Sequence, residues 1–369
     1  MERPTTKPFG VSANELDTPA LVVDLPTLDY NIETVHSFFR TAQSKVRPFA
    51  SAHLCPAIAS RQLASDGSVG GISVATIGEA EVFAQHGISD ITIINRVVTW
   101  SKLNRLCALA HLVKVTVGVD TGTNVEDLSQ AAIAAGVTLN VLVDIDTGSS
   151  LWGVDPGKPA LQLAQVIKKA PGLQFGGLAA NGTLTTQEND NDSVSKIKHW
   201  VQPVLTTREL LEHHGINVDV VSAGGTSNYP IIGSIDGVTE VPAGSYALMD
   251  TRYLSNSPQL KPAVKILSTV TSRPDRYTSI LDAGQKSSNR DTGLPTIEGF
   301  SKATVTSTSA EHATVELDED MENMLRVGDK VWLIPHDAGG CANLYDYMRI
   351  VRNGKLIAMW EIAARGRYR

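Results

Sequence analysis

From Ala20 onward the chain alternates short β-branched runs with longer stretches whose apolar residues recur every three to four positions, and this rhythm constrains the fold more than any other feature. The runs "ALVVDL", "KVRPFA", "GGISVA", "ITIIN", "KVTVGVD", "LNVLVDID", "GLQFGGL" and "VDVVSAGG" read as strands. Between them, stretches such as "PTLDYNIETVHSFFRTAQS" and "KPALQLAQVIKKA" read as helices. Strand and helix alternating roughly eight times predict an α/β fold, a (β/α)8 TIM-type barrel whose chemistry sits on the loops after the strands. A doubly wound sheet is the next architecture that suits the pattern.

After "GSYALMDTRY" the rhythm changes. "AVKILSTVTSRP", "YTSILDAG", "KATVTSTSAEHATVEL", "DKVWLIP" and "YDYMRIVRNGKLIAMWEI" are strands split by turn signals, and "RNGK" is an Asn-Gly hairpin turn. The expected division is a barrel over residues 20–258 and a mainly β domain built from residues 1–19 and 259–369.

A formal charge of -7, with both signs interspersed, leaves no basic surplus for a nucleic-acid backbone. The polar start "MERPTTKPFGVSANELDTP" has neither a signal-peptide nor a transit-peptide pattern, and no apolar run reaches the roughly 18 residues of a membrane span. The expectation is a cytoplasmic protein without nucleic-acid or membrane partners. Cys55, Cys107 and Cys341 lie far apart without C-x-x-C spacing, which suits reduced thiols.

Several phrases together carry a family resemblance: "LDTPALVVDLPTLDYNI", "GEAEVFAQHGISDITIIN", "VSAGGTSNY", "TEVPAGSYALMDTRY", "LDAGQKSSNRDTGLP", "AEHATVEL" and "ARGR". In this order, spanning nearly the whole chain, they resemble the D-threonine aldolase and D-serine dehydratase family. That family has the alanine-racemase-type barrel, uses pyridoxal phosphate and is dimeric, with the β domain of one subunit closing the cleft of the other. The resemblance implies a homodimer acting on a small-molecule substrate.

The same resemblance exposes departures. The family lysine that bonds the cofactor aldehyde falls on Ser51 of "RPFASAH", and a neighbouring histidine falls on Phe49. Leu151 stands in place of an arginine facing the cofactor ring, and Asn181 and Gly182 replace a tyrosine and a histidine. A hydroxyl cannot take the lysine's role, so the expectation is no covalent pyridoxal phosphate. "SAGGTSNY" nevertheless keeps small residues suited to an oxyanion: Ser222, Gly224, Gly225, Thr226 and Ser227. In "PHDAGGCANLYD" the family's metal-ligand pair is broken. His336, Asp337 and Cys341 still offer group types that can hold zinc or manganese.

Proton transfer needs a group titrating near working pH. His53 follows Ser51 by two residues, which in an extended segment turns both side chains to one face as a hydroxyl–imidazole pair. Asp250 and Tyr253 are expected at a strand end facing the cleft, and Lys286 and His312 add an amine and an imidazole. Phe49 and Trp152 make the pocket more apolar, which suits an aromatic or hydrophobic substrate, while the "SAGGTSNY" loop leaves an anionic one open. Three readings stay open: a lyase or isomerase without covalent pyridoxal phosphate, a noncatalytic binder of a phosphate-bearing molecule, and a pyridoxal-phosphate lyase using another lysine.

Overall fold

Leu25, Leu28, Ile32, Val35 and Phe39 fall on one face of a helix and are all buried, which is why the first long apolar-periodic stretch is helical. The computed structural model describes residues 8–148, 151–180, 191–318 and 325–369. The chain opens with β1 (Ala20–Asp24) and α1 (Leu25–Thr41), then β2 (Lys45–Pro48), α2 (Pro56–Leu63), β3 (Ile72–Val74), α3 (Ile77–Gln85), β4 (Asp90–Ile93), α4 (Trp100–Ala110), β5 (Lys114–Val119) and α5 (Gly122–Ala135). It continues with β6 (Leu139–Asp144), α6 (Lys158–Lys169), β7 (Leu173–Ala180), α7 (Asn191–His213), β8 (Val220–Ala223), α8 (Tyr229–Ile232), β9 (Glu240–Ala243) and α9 (Thr251–Leu254). β10 (Val264–Ser272), β11 (Thr278–Leu281), α10 (Gln285–Ser288), β12 (Thr296–Ile297), β13 (Ala303–Thr308), β14 (Ala313–Leu317), β15 (Lys330–Ile334), α11 (Ala338–Ala342), β16 (Tyr347–Arg352) and β17 (Lys355–Glu361) complete it.

Two compact units result. One comprises Val35–Ser51, Ala59–Gly244 and Gly366–Arg369; the other comprises Met1–Thr34, Ala52–Ile58 and Ser245–Arg365. In the first, β2 to β9 form a parallel eight-stranded sheet in the order β2-β9-β8-β7-β6-β5-β4-β3. Single bridges from Val46 to Ser68 and from Phe49 to Ser73 bring its two ends together as a nearly closed barrel. Leu139, Val141, Leu142 and Val143 of β6 are all buried, as expected of a parallel strand covered on both faces.

The strand count matches the expectation, but the membership differs. "ALVVDL" belongs to the other sheet: β1 pairs antiparallel with β10 and parallel with β16. The eighth barrel strand is β9, "EVPA", and residues 246–249 are not a strand. A short β-branched run signals a strand without naming its partner, because register is set by distant segments.

In the second unit β1, β10, β11, β13, β14, β16 and β17 form one sheet path, with β15 joining β10 to β12. The β16–β17 hairpin turns on Asn353 and Gly354, both at positive φ (52° and 71°), the backbone an Asn-Gly turn supplies. Cys55, Cys107 and Cys341 are buried and free. No helix among the described residues is long and apolar enough to cross a membrane.

Candidate active site at the barrel mouth

The loops after barrel strands carry the chemistry of such folds, so the site is built from the C-terminal strand ends. After β2 the chain tightens into a 3-10 turn, Ala50–Ala52. There the Ser51 hydroxyl donates to Glu79 Oε2 at 2.5 Å and accepts from the Ala75 N–H at 2.7 Å. The same Glu79 oxygen accepts from Ala75 N at 2.9 Å and Thr76 N at 3.3 Å, while Thr76 Oγ1 accepts from Glu79 N at 3.2 Å. This capping box starts α3. Burial raises the Glu79 carboxyl above the ordinary glutamate range, against the pull of its hydrogen bonds from Ser51, Ala75 and Thr76.

The expected Ser51–His53 pair is not what the turn produces. The backbone there is helical rather than extended, Ser51 turns to Glu79, and the buried His53 ring accepts from the Cys55 N–H through Nδ1 at 3.1 Å. Glu79 escaped the sequence reading, although Thr76 followed three residues later by Glu79 before an apolar run was its signal.

Past β4 and β5 lie Arg96 and Asp120, and Asp144 is the last residue of β6. Arg96 Nη2 donates to Asp144 Oδ2, and Arg96 Nε stands 3.2 Å from Asp120 Oδ2. Gly118 makes room for this carboxylate, since a Cβ there would lie 2.6 Å from Asp144 Oδ2. The guanidinium lies 5.8 Å from the Trp152 ring, and Leu151 (73 % exposed) and Trp152 (41 %) give the rim an apolar surface. Below them, Arg47, Ser73, Thr92, Asp144 and Ser222 help line an interior cavity of about 10 Å³, room for one water at most. This interior cavity is therefore too small to hold a substrate.

After β8, Gly224 takes φ +89°, and a Cβ there would meet Asn228 Oδ1 at 2.9 Å. That oxygen accepts from Gly225 N at 2.9 Å. Ser227 Oγ and Asn228 Nδ2 are buried with no hydrogen-bond partner among the described residues. Two orphaned donors cost about 1–3 kcal/mol each unless a ligand oxygen or water reaches them, so this loop fits a phosphate or carboxylate. Gly224, Gly225, Thr226 and Ser227 share it, whereas Ser222 lies within β8 on the interior cavity. Asn181 and Gly182 lie outside the described residues.

The remaining candidates belong to the β unit. Asp250 is not at a strand end: it stands at the N-cap position of α9 without a side-chain capping bond, and its Oδ2 accepts from Ala338 N at 2.9 Å while Oδ1 has no partner among the described residues. Thr251 Oγ1 lies 2.9 Å from His336 Nδ1, Arg252 stands 3.7 Å from Asp337 and 4.7 Å from the Tyr253 ring. Burial pushes the Tyr253 phenol up. Lys286 is 70 % exposed and paired with Glu311, and His312 lies on the exposed turn between β13 and β14.

His336, Asp337 and Cys341 are not gathered as a metal set. Asp337 caps α11 by accepting from Gly340 N at 3.1 Å, and Cys341 Sγ donates to the Ser287 carbonyl at 3.4 Å. Burial raises the Cys341 thiol far above its ordinary range, against the thiolate a metal needs. Among the described residues no group of three or more His, Cys, Asp or Glu is placed to hold a metal ion.

Burial pushes the Asp250 carboxyl up to about 6. The folded state thus holds this proton more tightly than the unfolded chain. The resulting stability is fully present below the unfolded value, falls as pH rises from about 4 to 6, and is lost above; linkage makes it roughly 2–3 kcal/mol. Asp250→Asn is expected to flatten denaturation midpoints across that window. Equal pH slopes for both proteins would refute the assignment.

The alanine racemase N-terminal domain family matches residues 23–251, and the putative serine dehydratase domain matches residues 263–351. The chain is 34 % identical to a D-threonine aldolase of Arthrobacter sp over 95 % of its own length and 93 % of the relative's. A 3-hydroxy-D-aspartate aldolase of Paracoccus denitrificans (strain Pd 1222) is 31 % identical, over 97 % and 94 %. The crystal structure of D-threonine aldolase from Filomicrobium marinum superposes with a TM-score of 0.94 at 31 % identity, covering 98 % of this chain and 100 % of that one.

Proposed function

We propose, since this chain belongs to the D-threonine aldolase and D-serine dehydratase family of alanine-racemase-type barrels, that it is a lyase or isomerase working at the barrel mouth without covalently bound pyridoxal phosphate. The observation that carries the reading is Ser51, where the resemblance places the lysine, with its hydroxyl committed to Glu79. The lysines of the barrel unit stand at the first residue of β2 or β5, or on α4, α6 and α7. The residues present thus fit the phosphate end of the cofactor, through Ser227 and Asn228, but not its aldehyde end.

Retro-aldol cleavage, elimination and proton transfer beside a carbonyl all need a base and a stabilised oxyanion. Glu79, Asp120, Asp144 and Arg96 offer carboxylates and a cation in this mouth, and Leu151 and Trp152 favour a substrate with an apolar or aromatic part. The working form is taken to be a cytoplasmic homodimer acting on a small molecule, with no nucleic-acid or membrane partner.

The test is covalency. Protein incubated with pyridoxal phosphate and reduced with borohydride is expected to yield no pyridoxyl-lysine peptide by mass spectrometry. A labelled lysine would sink this reading in favour of a relocated lysine. The orphaned donors of the Gly224–Asn228 loop also support a second reading, a noncatalytic binder of a phosphate-bearing molecule. Calorimetric titration with inorganic phosphate and with pyridoxal phosphate decides it: no heat with either removes it.

A further inference from the structure

We infer that Glu79 is the proton-transferring carboxylate of the barrel mouth, and that its substrate is a β-hydroxy ketone or β-hydroxy aldehyde rather than a free amino acid. The inference rests on the noncovalent reading above and adds the base and the substrate class.

Three donors fix one oxygen of this carboxylate: Ser51 Oγ, Ala75 N and Thr76 N all point at Oε2. Oε1 has no hydrogen-bond partner among the described residues, and it is not among the buried polar atoms left unsatisfied. The residue keeps 7 % exposure, so Oε1 is the oxygen that solvent or a bound molecule reaches. A side chain with one atom locked and the other presented has the orientation a base needs, and burial raises its carboxyl above the ordinary glutamate range, which makes it a stronger proton acceptor. Capping α3 does not require the charge, because glutamine closes a capping box equally well.

Ser51 is the positioning residue of this arrangement. Its proton goes to Oε2 and its oxygen accepts from Ala75 N, which ties the end of β2 to the turn that starts α3. This hydroxyl aims the carboxylate from where the resemblance places an amine.

The substrate class follows from the chemistry. Without a covalent electron sink, a carbon beside a carboxylate is too weak an acid to carry the electron pair of a broken C–C bond, whereas a carbon beside a ketone or aldehyde delocalises it into the carbonyl as an enolate. Glu79 Oε1 takes the proton of the β-hydroxyl, the hydroxyl carbon becomes a carbonyl as the Cα–Cβ bond breaks, and the bonding pair moves into the neighbouring carbonyl. The proton on Glu79 then passes to the enolate carbon. One β-hydroxy ketone yields two carbonyl compounds, the carboxylate is regenerated, and no co-reactant is consumed.

The probes are the aldol adduct of acetone with benzaldehyde, whose ring suits the Leu151 and Trp152 rim, and D-threonine. The native protein is expected to release benzaldehyde from the first and nothing from the second. Glu79→Gln should lower that release about 100-fold or more without changing the melting curve. Added formate should restore part of the rate to Glu79→Ala, a rescue that a merely structural carboxylate would not give. Ser51→Ala should lower kcat roughly tenfold and leave KM unchanged. Glu79→Gln keeping more than half the native rate overturns the role of Glu79; cleavage of D-threonine to glycine and acetaldehyde overturns the substrate class. If neither probe is turned over, the lyase reading itself falls.

Discussion

Arg47→Leu is expected to lower the unfolding free energy by about 3–5 kcal/mol, the cost of leaving a buried charge without its partner. Arg47 Nε donates to Glu240 Oε2 at 2.9 Å, and its Nη1 donates to Asp90 Oδ1 at 2.9 Å and to the Ile72 carbonyl at 3.4 Å. These contacts link β2 to β9, and to β3 and β4 on the other side of the barrel seam. Although burial opposes it, Arg47, together with Lys114, holds the Asp90 carboxyl below the ordinary aspartate range. Asp90 keeps Lys114 at 2.8 Å when Arg47 is removed, so the main loss falls on the buried Glu240. Urea unfolding should therefore show a smaller loss for Arg47→Leu combined with Glu240→Leu than for Arg47→Leu alone. A single-variant loss below about 1 kcal/mol would refute the argument.

Gly177→Ala is expected to cost about 2–5 kcal/mol, for a steric reason. Gly177 has φ +148°, and a Cβ built on it lies 1.9 Å from the Val220 carbonyl oxygen of the neighbouring strand. Overpacking contributes roughly 1–3 kcal/mol, and a backbone region that side chains avoid contributes roughly 1–2 more. Gly176 is the control: a Cβ there makes ordinary contacts, 3.5 Å to Leu142 Cδ2 and 3.6 Å to the Val141 carbonyl. Thermal unfolding should place Gly176→Ala close to the native protein and Gly177→Ala well below it. Equal melting temperatures for the two variants would contradict the register of β7 on β8.

These cases separate what was legible along the chain from what was not. Barrel rhythm, the change to hairpins after Tyr253 and the Asn353-Gly354 turn are properties of neighbouring residues, and periodicity or residue chemistry reveals them directly; the amine missing at Ser51 is legible only through the family resemblance. In the candidate site the anion loop was readable because small residues after a strand announce it. Glu79 was readable only as a cap, and Arg96, Asp120 and Asp144 carried no local pattern at all.

Local pattern along the chain sets the kinds of element and their order, and it puts a serine at residue 51. Which run enters which sheet is settled by long-range pairing, which sends Ala20–Asp24 to the β sheet and Glu240–Ala243 into the barrel. The packed strands also turn Ser51 towards Glu79, and they leave room for a Cβ at Gly176 of "FGGL" but not at Gly177. The reason is physical: periodicity is written in adjacent side chains, whereas closing a parallel barrel fixes register, backbone approach and charge pairing between segments far apart in the chain.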